Sequence, residues 1–228
     1  MIDAPPCAIV AGIGPGLGAA LCRELAGAGY RIVGLARSAG AGEALLEDLG
    51  PERFLPLRCD LADAAQVDAA ITQAEERFGP AGTYVHNAAH LHMQPFLDTE
   101  PGDFETLWRT TCLGAAHGAH RVLPAMLAAG QGNLLFIGAT ASVKAGARFA
   151  AFASAKFALR GLAQSLAREL GPQGIHVAHL VIDGIIWSER ARDQFQMTRE
   201  QCLDPEAVAA SCLHLLQQPR SAWTHELD

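Results

Sequence analysis

The sequence predicts an α/β fold: one doubly wound domain on a mostly parallel sheet of about seven strands, with helices on both faces. Three observations predict it. Short apolar runs alternate with longer stretches of helical periodicity. The apolar runs lack polar alternation, as strands buried on both faces of a parallel sheet do. Gly29, Gly50, Gly79, Gly130 and Gly171 follow helical stretches, where a helix C-terminus takes a cap.

Strands are expected at residues 7–11, 31–36, 54–59, 83–87, 133–138 and 176–182, each apolar nearly throughout and bounded by Gly or Pro. Helices are expected at 17–28, 41–49, 64–78, 104–129, 149–170 and 205–217. Residues 223–228 read as the start of a final strand that is cut short. No repeat, low-complexity tract or linker interrupts the pattern, so residues 1–228 read as one domain.

Composition narrows the function. Half of the 228 residues are hydrophobic and 18% are charged, which excludes intrinsic disorder. No apolar run reaches the ~18 residues of a membrane span. The N-terminus has no basic stretch before an apolar one and does not read as a secretory leader. The net charge of −7, without a basic cluster, argues against nucleic acid as a partner. Six cysteines show no C-x-x-C pair and read as reduced residues of a cytoplasmic protein. The basic residues are fifteen Arg but only Lys144 and Lys156; the tyrosines are only Tyr30 and Tyr84.

The first strand runs into Ala11-Gly12-Ile13-Gly14-Pro15-Gly16-Leu17-Gly18, and a helical pattern follows. Such a loop lets backbone approach a pyrophosphate without Cβ clash, and the helix N-terminus offers free N–H groups to the anion. The spacing is Gly12-x-x-x-Gly16-x-Gly18, with Leu17 where the commonest dinucleotide fingerprint has its third glycine. A plain tight turn is the alternative. The second strand ends without an acid to hold a ribose 2′-hydroxyl, and Arg37-Ser38 follow. Arginine there favours a 2′-phosphate, hence NADP(H) over NAD(H), unless Arg37 is only a solvated loop residue. Asp60 and Leu61 follow the third strand. Asp60 either accepts a hydrogen bond from an adenine amino group or caps the helix beginning near Ala62.

These residues resemble the short-chain dehydrogenase/reductase family. The Gly12/Gly16/Gly18 spacing resembles its glycine motif, His86-Asn87-Ala88-Ala89 its N-N-A-G segment, and Phe152-Ala153-Ser154-Ala155-Lys156 its Y-x-x-x-K helix. The resemblance implies a Rossmann domain, a nicotinamide cofactor, a small carbonyl or alcohol substrate, and a homodimer or homotetramer. It places Gly12, Gly14, Gly16, Leu17, Gly18, Asn87, Ala88 and Lys156 against the cofactor. Asp183, Gly184 and Ile185 join them, Asp183-Gly184 standing where the family has P-G.

The resemblance also breaks at the chemistry. The family's tyrosine donates a proton, its lysine lowers that tyrosine's pKa and holds the ribose, its serine polarises the carbonyl, and its asparagine anchors a water. Here Phe152 occupies the tyrosine position, Ala139 the serine position and Thr111 the asparagine position, while Lys156 remains. Phenylalanine has no ionisable proton, and a positioned general acid is worth ~10²–10⁴ in rate. Substitutes at the carboxyl ends of the strands are Thr140 and Ser142, each either catalytic or bonded to loop backbone, and His90. Asp183 is either an acid in an apolar crevice or a cap on the following helix. The pairs His90/His92, His117/His120 and His176/His179 have no acidic or cysteine ligand at a matching spacing and do not read as a metal site, and the latter two read as packing or capping residues. Trp187 and Phe195 fall where the family has its substrate lid. Residues 104–129 and 149–170 carry apolar residues on more than one face, as helices that meet a second subunit do.

The expected function is that of an atypical short-chain oxidoreductase binding NADP(H), its proton supplied by water or a substitute side chain. The alternative is a dinucleotide-binding sensor or inactive subunit partner without turnover.

Overall fold

The computed structural model describes residues 5–228, apart from the side chain of Arg190. The reading of the N-terminus as leader-free rests in part on residues 1–4, which lie outside them. Seven strands form the sheet: β1 (Cys7–Ala11), β2 (Arg31–Ala36), β3 (Phe54–Arg58), β4 (Ala81–His86), β5 (Gly132–Ile137), β6 (Ile175–Leu180) and β7 (Glu226–Leu227). The helices are α1 (Leu17–Gly27), α2 (Gly40–Leu49), α3 (Ala64–Phe78), α4 (Pro101–Trp108), α5 (Gly114–Ala129), α6 (Ala150–Leu170), α7 (Glu189–Phe195) and α8 (Pro205–Leu216).

The strand order is β3-β2-β1-β4-β5-β6-β7, and every pair is parallel. The chain moves outward from β1 to β3, then returns to lay β4 on the other side of β1. That reversal opens a crevice at the carboxyl ends of β1 and β4, where ligands of such sheets bind. Strand residues alternate between two cores. Ile9, Tyr84, Phe136 and Val177 face α3, α5 and α6 through Val67, Val122 and Leu159. Val10, Val85 and Leu135 face α1 and α8 through Leu21, Leu25, Cys212 and Leu215. Burying each large side chain stabilises the fold by about 1.5–3 kcal/mol. Both faces being covered explains the absence of polar alternation in the strands.

The elements differ from expectation at their ends. The long helix expected at 104–129 begins at Pro101, because proline is accommodated in a first helical turn. It is interrupted by a π-helical segment, Arg109–Leu113, before α5 continues. Such bulges concentrate at functional sites. Gly171 does not take the left-handed cap (φ −54°): the chain turns on through a 3₁₀ segment, and Gly174 adopts φ +91° instead. Helix α7 is an element the periodicity does not announce, since it is short and polar. The final strand is the two-residue β7, paired with His179 and Leu180 of β6. Among the described residues no helix is long and apolar enough to cross a membrane.

Candidate cofactor and substrate site

The glycine loop is fixed from both sides. Gly12 N and Ile13 N donate to Leu35 O at 2.9 and 3.0 Å, tying the loop to β2. Asn87 Nδ2 donates to Gly12 O at 2.8 Å, tying it to the end of β4. Gly12 has φ +97°, and a Cβ there would lie 2.6 Å from Ala88 backbone atoms. A Cβ on Gly18 would lie 2.7 Å from Gly12 O, so glycine at both positions lets α1 close on the strand. Gly14 is different: a Cβ there would meet nothing within 4 Å, so its freedom serves the open space in front of it. Gly16 caps α1 without a side-chain hydrogen bond, and no acid stands in the first turn. The free N–H groups and partial positive charge of that helix end point at the crevice.

A cavity of about 710 Å³ opens there, lined by the loop, Arg37, Ser38, Asp60, Leu61, Asn87 and Ala88. These positions fit a dinucleotide: a glycine cradle, an uncapped helix end, and an exposed guanidinium without an ion pair among the described residues. Asp60 does not cap α3. Its Oδ1 accepts from Ala62 N at 3.0 Å within a turn, and Asp63 caps the helix by accepting from Ala65 N and Gln66 N. His90 lines this first cavity rather than the second. His92 reaches toward Asp103, 3.6 Å from Nε2 to Oδ2.

A second cavity of about 800 Å³ adjoins the first and shares Asn87 and Ala89 with it. Lys156 lines this cavity with only 3% of its surface exposed, and its Nζ donates to Ile137 O at 2.8 Å. Burial pulls its pKa down to about 8. The Phe152 ring, one helical turn earlier on α6, has its centroid 5.8 Å from that ammonium. Ala139 lines the cavity with it. Thr140 Oγ1 donates to Asp183 Oδ1 at 2.6 Å, and both line the cavity. Asp183 therefore holds a hydroxyl and caps no helix; Ser188 caps α7 by accepting from Ala191 N at 3.1 Å. Ser142 is fully buried, its Oγ accepts from Ala139 N at 3.1 Å, and it is not a lining residue. Thr111 sits in the π-helical segment, fully buried, its hydroxyl without a hydrogen-bond partner among the described residues. Gly184, Ile185 and Phe195 line the far wall, and the Trp187 carbonyl approaches the glycine loop near Gly16.

A row of buried groups behind Lys156 was not expected from sequence. His86 and His179 stand in register on either side of Phe136, on β4 and β6. His86 Nδ1 lies 3.3 Å from Tyr84 Oη, and burial followed by the Lys156 charge holds the ring neutral, its pKa about 3. His179 Nδ1 lies 3.0 Å from Glu226 Oε2, while the Arg160 fork grips the same carboxylate at 2.7 Å with both nitrogens. The Nε2 atoms of both imidazoles are buried and have no hydrogen-bond partner among the described residues. A histidine at the end of each apolar strand is the signal that was available. The remaining histidine pairs are structural: His117 meets Leu61 O, and His176 stacks on Trp223 with ring centroids 4.9 Å apart. No cluster of metal-binding side chains occurs among the described residues.

The comparisons agree with this geometry. The short chain dehydrogenase family model matches residues 6–198. Carbonyl reductase family member 4 of Danio rerio is 28% identical over 93% of this chain and 91% of its own. The glycine betaine reductase ATRR of Emericella nidulans is 27% identical over 96% of this chain, which spans only 18% of that protein's length. A short-chain dehydrogenase crystal structure from Rhodopseudomonas palustris superposes with a TM-score of 0.82 at 35% identity, covering 96% of each chain. With the glycine loop, the β1/β4 crevice and the α6 lysine all in place, the chain belongs to the short-chain dehydrogenase family.

Proposed function

We propose that the protein is an NADP(H)-dependent oxidoreductase acting on a small carbonyl or alcohol compound. The observation that carries this reading is the continuity of the two cavities through Asn87 and Ala89. One cavity offers anion-binding backbone, and the other offers a mostly apolar chamber with a buried ammonium. A bound nicotinamide dinucleotide supplies or accepts the hydride. The Gly12–Gly18 loop and the α1 N-terminus hold its pyrophosphate, Arg37 and Ser38 its 2′-phosphate, and Asp60 and Leu61 its adenine end. Asn87 and Ala88 flank it where the cavities meet, with Gly184 and Ile185 on the opposite wall, and Lys156 meets the nicotinamide ribose.

Phe152 has no proton to give. Thr140 commits its proton to Asp183, so its oxygen is left to accept rather than donate. Lys156 is the buried cation lining the substrate chamber, and an acid of pKa about 8 is well matched to proton transfer near neutral pH. We assign Lys156 the proton that would join the carbonyl oxygen of a substrate in this chamber. Ser142 stays a loop-fastening residue.

The second reading is a dinucleotide sensor or inactive subunit partner. Phe152 and Ala139, both facing the chamber without a hydroxyl, favour it. Six free cysteines suit a reducing, cytoplasmic setting. Exposed Trp108 on α4 and Phe157 on α6, two helices that pack together, suit burial against a second copy, and a monomer at micromolar concentration would remove that assignment.

The test is cofactor binding by tryptophan fluorescence. Arg37→Ala is expected to weaken NADPH about 10-fold or more, the size of one lost charge-assisted hydrogen bond, and to leave NADH nearly unchanged. Equal losses for both would remove the 2′-phosphate assignment. Absence of binding by either would remove the function.

A further inference from the structure

The substrate chamber contains a charge that hydride and proton transfer leave unused. Fifteen arginines and only two lysines supply the basic side chains of this chain, yet both lysines line this cavity. Lys156 is buried, whereas Lys144 is exposed. No acidic group lies within ion-pair distance of Lys144 among the described residues. Asp183, the acid that lines the same cavity, is engaged by the Thr140 hydroxyl instead. No arginine lines the cavity among the described residues.

The loop that carries Lys144 is held in place. Lys144 N donates to Thr140 O at 2.8 Å. Arg148 closes the loop in the left-handed region (φ +71°), a backbone conformation that strains a non-glycine residue. Its carbonyl accepts from Gln94 N at 2.9 Å. That bond joins the lysine's loop to the segment bearing Leu91 and Met93. Those two side chains, with Phe149, Phe152 and Phe195, form apolar walls. Lys144, with no ion pair among the described residues, thus lines a hydrocarbon-walled chamber.

We propose that Lys144 is a substrate-binding residue, and that the substrate is an apolar carbonyl or alcohol compound carrying a carboxylate at the end remote from the reacting carbon. The apolar walls take the carbon skeleton out of water. A single ammonium is a point charge suited to a monoanion. A phosphate ester would call for several donors or a guanidinium fork, which the described lining residues do not offer. The inference rests on reading this cavity as the place where substrate meets hydride.

The experiment is calorimetry on the NADP+-treated protein with two ligands of matched shape, 2-naphthoate and 2-naphthalenemethanol. Naphthoate is expected to bind about 10-fold tighter, with a contrast that shrinks as salt is raised. Lys144→Gln is expected to remove most of that contrast while changing naphthalenemethanol by less than about two-fold, and Lys144→Arg to keep it. Asp183→Asn is expected to tighten naphthoate further by removing a like charge. Equal binding of the two ligands, binding of neither, or a contrast that survives Lys144→Gln overturns the proposal. NADP+ is titrated first in the same cell. Its failure to bind overturns the cofactor reading, and the naphthoate contrast on the cofactor-free protein still decides the role of Lys144.

Discussion

The ammonium of Lys156 lies 5.8 Å from the centroid of the Phe152 ring, and both residues line the same cavity. The lysine is buried, and its one hydrogen bond among the described residues is to Ile137 O at 2.8 Å. Burying a cation with so few partners is costly unless a ligand supplies the rest. The arrangement keeps the family's lysine and has a phenyl ring where the family has a phenol.

Restoring the hydroxyls is therefore expected to raise turnover. Phe152→Tyr with Ala139→Ser places a phenol one helical turn from Lys156 and a hydroxyl on the same cavity wall. NADPH oxidation with an aldehyde is expected to rise about 10²-fold or more over the parent, the usual worth of a positioned acid. Phe152→Tyr alone is expected to give less. A double variant that binds NADPH as before and stays inert would show that the chamber lacks a productive carbonyl position.

The glycine loop separates folding from binding. Gly12→Ala forces φ +97° on alanine and drives a Cβ against Ala88 backbone, so it is expected to destabilise the protein by at least about 2 kcal/mol. Gly14→Ala meets nothing within 4 Å and is expected to leave the melting temperature unchanged while weakening NADPH several-fold. Thermal melts with and without NADPH measure both effects. A Gly14→Ala protein with parental NADPH affinity would show that the cofactor does not approach the backbone there.

Acid is expected to loosen the C-terminal strand. The Arg160 fork, aided by His179, pulls the Glu226 pKa from 4.5 down to about 2. A carboxylate depressed in the folded state contributes stability above its ordinary pKa and loses it as pH falls through the folded value. Glu226→Gln is expected to cost about 1–3 kcal/mol at pH 7, and the gap to the parent is expected to close between about pH 4.5 and pH 2. Urea denaturation of both proteins at pH 7 and pH 3 checks this. A gap independent of pH would mean that Glu226 acts through packing rather than charge.

The order of the strands and of the long helices, the glycine loop, Arg37 after β2, and Lys156 four residues beyond a phenylalanine are legible in the residues alone, whereas α7 and the break between α4 and α5 are not. They depend on local rules: periodicity, turn chemistry, and spacing along one strand or helix. What became of each polar group was not legible. Thr140 and Asp183 are 43 residues apart, Arg160 and Glu226 are 66 apart, and their bonds exist only because β5, β6, β7 and α6 are stacked side by side. The same stacking buried His86 and His179 behind the lysine and set Lys144 at an apolar chamber. Local sequence decides which strand or helix forms. Partners distant in the chain, competing for burial and hydrogen bonds, decide which side chains are left free to act.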